Sequence, residues 1–334
     1  MIIYNSLDEL NITEKTSVAL GNFDGLHVGH RVIMEDAIRS AKETGLRSLC
    51  FTFSNHPFNF ILQRTDDDPD AVKLICTEDE KVDLIRGMGF DILVNVPFDE
   101  TVMKMRSHAF FEDIIIGKLN AGCVSVGFNY TYGARAEGKP ADLVRECTEA
   151  GIGVNIHDAV TVGGRVVSST LIREMISTGN MERTAMYLGR PYSFSGTVSH
   201  GKRLGSRNGF PTINIPAPAR QMLPPSGVYF SRIIVGGNEY CSISNIGVNP
   251  TVNKETSAAG ETGLNNKPAT DQNRMQKTIE TYIFDFDREV YNEEVTVYFD
   301  HFSRGERKFR SKEELFDQIS RDCDQARAYH YASV

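Results

Sequence analysis

The sequence predicts an α/β domain built on a doubly wound parallel sheet, followed by a small antiparallel β-barrel with a C-terminal helix. Three observations predict this order. Strand-like and helical runs alternate up to about residue 160, which is typical of βαβ units whose parallel sheet is covered on both faces. After residue 190, short runs rich in β-branched and aromatic residues follow one another, as in a small barrel. The chain of 334 residues is also long enough for two domains.

The alternation in the first half begins with a short apolar run at 17–20 and a helical pattern that starts at Val28 and stops at Gly45. A second helix is expected to begin with a capping box formed by Thr77 and Glu80, and Gly87 or Gly89 should end it. The remaining patterns predict strands at 47–53, 92–96, 123–128 and 153–156, and helices at 107–119 and 141–150.

The second half is predicted to be mainly β-structure. Two strands at 227–235 and 239–247 enclose a tight turn, two more follow at 279–286 and 294–302, and a helix starts at Ser311 with Glu314 completing a capping box. A helical pair at 168–177 and 181–189 lies between the two patterns, so the expected domains are 1–188 and 189–334. The polar segment 253–277 has almost no large apolar side chains and is expected to be a mobile insertion between two barrel strands.

Composition narrows the functional classes. The net charge of −8 and the lack of a Lys/Arg-rich run argue against a nucleic-acid partner. The six cysteines are scattered without metal-ligand spacing, as expected of thiols in a reducing compartment. No signal peptide and no apolar run of about 20 residues is visible. We therefore expect a cytoplasmic protein with no membrane contact, whose oligomeric state the sequence leaves open.

The stretch "GNFDGLHVGH" suggests phosphate chemistry. His27 and His30 lie one turn apart at the N-terminal end of the first predicted helix, where unpaired N–H groups and the helix dipole favour anions. Gly29 would let a phosphate approach the backbone closely. The alternative is a capped helix start with two solvated histidines, but two histidines at this spacing after a strand favour a phosphate site.

A second stretch, "VSSTLIRE", has similar chemistry. Ser168, Ser169 and Thr170 lie at a helix start and Arg173 follows about one turn later. Hydroxyls, free N–H groups and a fork-shaped cation suit a chain of phosphates. Taken alone, the stretch would be interpreted as a serine N-cap followed by a surface arginine.

The H-x-G-H motif after the first strand of an α/β domain resembles the nucleotidyltransferase superfamily, and the S-S-T-x-I-R element agrees. The later blocks "GKRLGSRNGFPTINIP", "PPSGVYF", "SNIGVNPTV", "IETYIFDF" and "ERKFRSKEELFDQISRD" resemble, in order, those of riboflavin kinases. Together they resemble the bacterial bifunctional riboflavin kinases/FMN adenylyltransferases, or FAD synthetases. The resemblance implies that the barrel makes FMN from riboflavin and ATP, that the α/β domain makes FAD and pyrophosphate from FMN and ATP, and that both steps use Mg²⁺.

The resemblance also implies roles for residues of the α/β domain. His27 and His30 would stabilise charge on the leaving pyrophosphate, and His56 and Pro57 would lie near the nucleotide. Asn129 would contact flavin or ATP, and Tyr130 beside it is a further flavin-binding candidate. Tyr130 and Tyr132 are equally consistent with the core. The expected ATP contacts are Gly21, Phe23, Asp24, His27, Gly29, His30, Ser169, Thr170 and Arg173.

In the barrel, the resemblance makes Glu280 the base that takes the proton of the riboflavin 5′-hydroxyl. Thr212 and Asn214 would hold Mg²⁺ and ATP phosphates, and the nucleotide would be covered by Gly201, Lys202, Gly205 and Gly209. Two positions depart from the family pattern: Asn55 stands where many relatives have Pro, and Asn249 where they often have Arg, a cation that Arg207 could supply. An enzyme with only the adenylyltransferase half active and a non-catalytic flavin-binding protein are the two rival interpretations.

Overall fold

A computed structural model describes residues 1–65, 68–199, 210–249 and 276–332. The chain divides into two compact units. The first comprises Met1–Ile176, Arg183–Arg190 and Ala219–Met222, and the second comprises Ser177–Glu182, Pro191–Pro218 and Leu223–Val334. The expected boundary at 188 differs from this division at three short segments, which are Ser177–Glu182, Gly189–Arg190 and Ala219–Met222.

The first unit is built on a six-stranded sheet in which every pair of neighbours is parallel, in the order β1-β4-β3-β2-β5-β6. These strands are β1 (Ile2–Tyr4), β2 (Thr16–Leu20), β3 (Arg47–Phe53), β4 (Ile92–Val96), β5 (Ala121–Gly127) and β6 (Gly153–His157). The chain leaves β2 toward β3 on one side and later returns to β5 on the other. The carboxyl ends of β2 and β5 therefore form a topological switch point, where open α/β sheets bind ligands.

Helices cover both faces of this sheet, and a hairpin of β7 (Thr161–Val162) and β8 (Arg165–Val166) follows it. The capping box of Thr77 and Glu80 is confirmed, and Gly89 ends that helix in a left-handed conformation. The helix predicted from Ser107 turns into a π-helix over Phe110–Lys118. The helices are α1 (Val28–Thr44), α2 (Pro57–Ile61), α3 (Glu78–Met88), α4 (Glu100–Lys104), α5 (Ser107–Ala109), α6 (Pro140–Glu149), α7 (Ser169–Ser177) and α8 (Met181–Leu188), with short 3₁₀ turns at Leu7–Glu9 and Ala134–Ala136.

Alternate residues of β2 show why the sheet is covered on both faces. Val18 and Leu20 belong to a buried cluster with the π-helix, whereas Ala19 belongs to another with Met34 of α1. Because side chains alternate along a strand, β2 buries one face in each cluster. The predicted doubly wound α/β architecture is confirmed.

The second unit is an antiparallel sheet of six strands in the order β10-β13-β12-β11-β14-β9. The sheet curls until its two edges meet, where the Ser199 amide donates to the Asn214 carbonyl at 2.8 Å. The predicted barrel with its C-terminal helix is confirmed. Its elements are β9 (Tyr192–Thr197), β10 (Thr212–Pro216), β11 (Gly227–Val235), β12 (Asn238–Asn249), β13 (Gln276–Ile283), β14 (Glu294–Gly305) and α9 (Lys312–Ala332).

The start of α9 differs from the prediction in one detail. The Ser311 hydroxyl accepts from the Glu314 amide at 3.2 Å, but the Glu314 carboxylate accepts from the Arg310 amide instead of that of Ser311. The expected insertion 253–277 lies outside the described residues except for its last positions, where β13 begins.

The segment Ala219–Met222 packs on the first unit. Leu74 exchanges two backbone hydrogen bonds with it, donating to the Arg220 carbonyl at 2.9 Å and accepting from the Met222 amide at 2.8 Å. The Gln221 side chain is buried and donates to the Ile75 carbonyl at 3.1 Å. The first unit therefore includes four residues that are distant in sequence from the rest of it. Within the described ranges, no helix is long and apolar enough to cross a membrane.

Candidate active sites

The two histidines of the first motif form a stacked pair. His27 is the N-cap of α1, and its Nδ1 accepts from the His30 amide at 3.1 Å. The ring centroids lie 3.5 Å apart at an interplanar angle of 16°. Because Nδ1 of His27 accepts, the proton of its neutral ring is on Nε2. The His27 side chain caps its helix, as in the alternative of a capped helix start, but it is buried and not solvated.

Both rings are neutral near pH 7. Burial lowers the pKa of His27 to about 4. Burial, and secondly the neighbouring His27, hold the pKa of His30 well below 6.5. Nδ1 of His30 is buried and has no hydrogen-bond partner among the described protein atoms. The pair is thus an uncharged hydrogen-bonding site next to the start of a helix.

Close backbone packing fixes the turn before this pair. Phe23, Gly25 and Leu26 have positive φ angles of 47°, 82° and 40°. The Phe23 ring is buried and meets the His30 ring edge-on at 5.3 Å. A β-carbon at Gly21 would lie 2.7 Å from the Phe23 ring, and one at Gly29 would lie 3.2 Å from His27. These two glycines therefore let the aromatic rings approach the backbone.

The second motif is attached to the first through Asp24. The Asp24 carboxylate accepts from the Arg173 guanidinium and, at 2.9 Å, from the Ile75 amide. The Ser169 hydroxyl donates to the Asp24 carbonyl at 3.0 Å. Burial raises the pKa of Asp24, with Arg173 acting in the opposite direction. Asp24 and Arg173, both expected at ATP, thus bind each other.

The start of α7 agrees with the serine-cap pattern. The Ser168 hydroxyl accepts from the Leu171 amide at 3.2 Å, and Thr170 is exposed. Arg173 also donates to the Lys73 carbonyl at 2.9 Å through Nε. The hydroxyls and the arginine therefore lie on one short helix that Asp24 holds beside the histidine turn.

A cavity of about 460 Å³ opens at the switch point, lined by Gly21, Phe23 and His30 of the turn and by Asn129 and Tyr130 after β5. Most of its other walls are apolar and partly aromatic. They include Leu20, Ile33, Phe51, Phe53, Pro57, Ile61, Phe98, Val102, Met103 and Phe110. A largely apolar cavity with few polar groups is typical of a small-molecule site.

Two of the predicted positions at this cavity also have structural roles. The Tyr130 ring stacks on Tyr132 at 5.9 Å, and burial raises the pKa of Tyr130. Tyr132 is buried, and its hydroxyl donates to Glu146 at 2.5 Å. Tyr130 thus both lines the cavity and packs, and Tyr132 is anchored in the core.

The loop before α2 lies between Phe53 and Pro57, which both line this cavity. His56 is the N-cap of α2, and burial lowers its pKa to about 4. Asn55 donates to the Phe98 carbonyl at 3.0 Å and accepts from the Phe98 amide at 2.7 Å. The side chain of Asn55 therefore holds this loop in place through two hydrogen bonds, which a proline side chain at this position could not make.

Sequence reasoning missed one charged residue at this cavity, Arg135, which also belongs to its lining. Its backbone is left-handed, with φ 56° and ψ 25°. The only signal in the sequence is its place shortly after "NYTYG", since an arginine in a loop is common at any surface.

In the second unit, Glu280 lies at the centre of three strands. It is directly opposite Asn214 on β10 and Asn245 on β12. Asn214 and Thr212 are two residues apart, so they share one face of β10. The predicted Thr212, Asn214 and Glu280 are thus brought together by strand pairing.

Two cavities border Thr212, and one of them also borders Glu280. One of about 790 Å³ is lined by Thr212, Glu280 and Asn245, and another of about 280 Å³ is lined by Thr212 and the loop 286–291. The lining of the larger one includes the cations Arg304, Arg307, Lys308 and Lys312 together with the acids Glu280, Glu306 and Asp322. Thr212 borders both cavities, and this suggests two ligands meeting at one point.

Arg304, which sequence reasoning also missed, is fixed by a bidentate pair. It donates to the buried Asp322 carboxylate through Nη2 at 2.6 Å and through Nε at 3.1 Å. The two residues are 18 positions apart, on β14 and α9. The expected Gly201, Lys202, Gly205, Arg207 and Gly209 lie outside the described residues, and Asn249 is the last residue of β12.

Comparisons with known proteins give a family for each half of the chain. Residues 9–171 match the family model for FAD synthetase, and residues 188–330 match that for riboflavin kinase. The bifunctional riboflavin kinase/FMN adenylyltransferase of Listeria monocytogenes is 32% identical over 93% of this chain and 91% of its own. That of Bacillus subtilis is 32% identical over 94% and 92%, and that of Escherichia coli is 28% identical over 93% and 92%.

A solved structure from Streptococcus pneumoniae, described as a macrolide-efflux protein, superposes with a TM-score of 0.82 at 26% identity and covers 98% of both chains. That description concerns the streptococcal protein. The shared fold spans both units, and the two family models assign one transfer reaction to each half. The chain belongs to the bifunctional riboflavin kinase/FMN adenylyltransferase family, whose members phosphorylate riboflavin to FMN and then adenylylate FMN to FAD.

Proposed function

We propose that the switch-point cavity is the adenylyltransferase site and that the His27–His30 pair binds the ATP phosphates there. The observation that supports this most is the stacked, neutral pair at the start of α1, beside a cavity of about 460 Å³. Free N–H groups at this helix end favour a polyphosphate, and the largely apolar walls suit a flavin ring.

The chemistry needs no protein nucleophile. An oxygen of the FMN phosphate attacks the α-phosphorus of ATP, the bond to the bridging oxygen breaks, and pyrophosphate leaves with the negative charge. The imidazole N–H groups would stabilise that charge as it develops, which is electrostatic catalysis by preorganised donors. The strained turn at Phe23 and Leu26 holds the rings in place before ATP arrives.

In the barrel, we assign the larger cavity to riboflavin and the smaller one to ATP. Glu280 would take the proton from the riboflavin 5′-hydroxyl, whose oxygen attacks the γ-phosphorus while ADP leaves. Thr212 supports this assignment because it borders both cavities, where the two substrates must meet.

The residues present fit a magnesium ion carried by the nucleotide. Among the residues the structure describes, no group of three His, Cys, Asp or Glu side chains could hold a metal by itself. Mg²⁺ usually keeps several waters and binds substrate phosphates plus one or two hard protein oxygens. The Thr212 hydroxyl and the Asn214 amide oxygen would supply these, and the ion would neutralise phosphate charge.

The test is to incubate the protein with riboflavin, ATP and Mg²⁺ and to separate FMN and FAD by chromatography. His30→Ala should slow FMN-to-FAD conversion by roughly 10²–10³ and leave riboflavin phosphorylation near wild type. Glu280→Gln should slow FMN formation by about 10²–10⁴ and leave FAD formation from supplied FMN intact.

Matched controls are the exposed His108→Ala and Glu294→Gln, which should leave both reactions unchanged. An equal fall of both activities in His30→Ala would indicate global destabilisation and remove the assignment. A wild-type protein that makes FAD from FMN but no FMN from riboflavin would support the rival with one active half.

A further inference from the structure

The loop that carries Arg135 lines part of the switch-point cavity and is anchored by hydrogen bonds. Tyr132 and Gly138 exchange two backbone hydrogen bonds of 3.2 and 2.9 Å, and the Ala134 amide donates to the Met105 carbonyl at 2.7 Å. The Glu137 carboxylate accepts from the Arg106 guanidinium at 2.7 Å and from the Ser107 amide at 2.8 Å. The tip between these anchors is therefore a fixed structure.

Arg135 and Ala136 occupy that tip in a strained conformation. Their φ angles are 56° and 54°, in the left-handed region that disfavours residues with a β-carbon. Gly133, in the same loop, packs so closely that a β-carbon there would lie 2.5 Å from the Ser107 backbone. Strain kept by a well-anchored loop is typical of residues whose position matters for a ligand.

The charge of Arg135 has no counterpart within the described residues. Glu137, the acidic residue of this loop, is paired with Arg106, but no acceptor among the described residues contacts the exposed Arg135 guanidinium. It is also the one permanently charged side chain among the residues that line the cavity. The remaining polar lining groups are neutral, including His30, whose pKa burial holds well below 6.5.

We propose that Arg135 binds the phosphate of FMN and so makes this cavity specific for FMN over flavins that lack a phosphate. This rests on the assignment of the cavity to FMN made above. The adenylylation brings two polyanions together, and a guanidinium can donate two parallel hydrogen bonds to one phosphate. The ATP phosphates have their own site at the start of α1, so the unpaired cation in the flavin cavity is left for the second substrate.

The experiment measures steady-state FAD formation from FMN in the full chain. Arg135→Gln should raise KM for FMN about 10- to 100-fold, the range for losing a charged hydrogen bond. KM for ATP and the rate of riboflavin phosphorylation should stay within about twofold of wild type, since each depends on another site. Arg135→Lys, which keeps the charge, should recover most of the affinity for FMN.

One further variant separates the effect of the charge from that of backbone strain, and another serves as a control. Arg135→Gly tolerates a positive φ and should melt at the same or a higher temperature than Arg135→Gln, yet show the same rise in KM for FMN. The control Arg145→Gln removes an exposed arginine of the same unit that pairs with Asp142 at 2.9 Å, and it should change neither KM.

Lumiflavin, a flavin ring without phosphate or ribityl chain, distinguishes phosphate recognition from ring packing. Its inhibition constant against FMN should be the same in wild type and Arg135→Gln. Equal weakening of lumiflavin and FMN, a rise in KM for ATP instead of FMN, or no change in KM for FMN would each overturn the proposal. Lumiflavin that does not compete with FMN even in wild type would instead remove the assignment of the cavity to the flavin.

Discussion

Acid should destabilise the first unit through His27. In the unfolded chain the ring titrates near 6.5, whereas burial lowers its pKa to about 4 in the folded protein. Between these values the unfolded state binds a proton that the folded state does not. The contribution of the neutral ring is therefore complete above pH 6.5 and is lost as the pH falls toward 4.

The expected magnitude follows from the two pKa values. A fall from 6.5 to about 4 corresponds to about 3 kcal/mol of folding free energy in full. About 2 kcal/mol of this is lost between pH 8 and pH 5. His30, whose pKa is also lowered, acts in the same direction.

The assay compares wild type with His27→Gln, which cannot titrate but can still accept the His30 amide hydrogen bond. The free energy of unfolding is measured at pH 8 and pH 5 by urea titration. Hydrogen exchange of peptides that contain β2 then reports the unfolding of the first unit separately from that of the second. The gap between the two proteins should shrink by about 2 kcal/mol on going to pH 5.

Ile33→Val is the matched control, because it weakens the same helix without removing a titrating group. Its gap to wild type, about 1 kcal/mol, should be the same at both pH values. A gap for His27→Gln that is constant within about 0.5 kcal/mol would refute the argument.

Two further substitutions test the contacts that hold the first unit together. Asp24→Asn should destabilise the first unit by about 3 kcal/mol, because the mostly buried Arg173 loses its charged partner. Adding Arg173→Met should recover much of that stability. An unchanged free energy of unfolding in Asp24→Asn would contradict this prediction. Gln221→Ala should lower the stability of the first unit by about 1–2 kcal/mol, because the Ile75 carbonyl loses its donor. Riboflavin phosphorylation should not change. Hydrogen exchange that shows a loss of protection only in the second unit would contradict this prediction.

The sequence predicted the regular elements well because each leaves a local pattern. The capping box at Thr77 and the strand over Gly227–Val235 were found at their observed positions. The π-helix at Phe110–Lys118 was not predicted, because a run as apolar as "FFEDIIIGK" suits more than one helical hydrogen-bond pattern. Ala219–Met222 could not be placed on the first unit, since its main-chain partner Leu74 is far away in sequence.

The site was only partly predictable for a similar reason. The spacing of His27 and His30 and the strand position of Glu280 can be read locally. That Asp24 binds Arg173 cannot, because the two residues are 149 positions apart and either alone suits a phosphate site. Arg135 was missed because nothing in its local sequence indicates a left-handed conformation.

The stability of the folded protein and its binding of phosphate should depend on pH in opposite directions. Burial, and for His30 secondly the neighbouring His27, holds the pKa of both rings low, so the folded protein keeps them neutral and is more stable at higher pH. A polyphosphate beside them would favour the protonated form, because an opposite charge raises the pKa of a histidine. Stability should thus improve with rising pH while phosphate binding weakens, and the buried pair that makes the site also limits the pH range in which it can work.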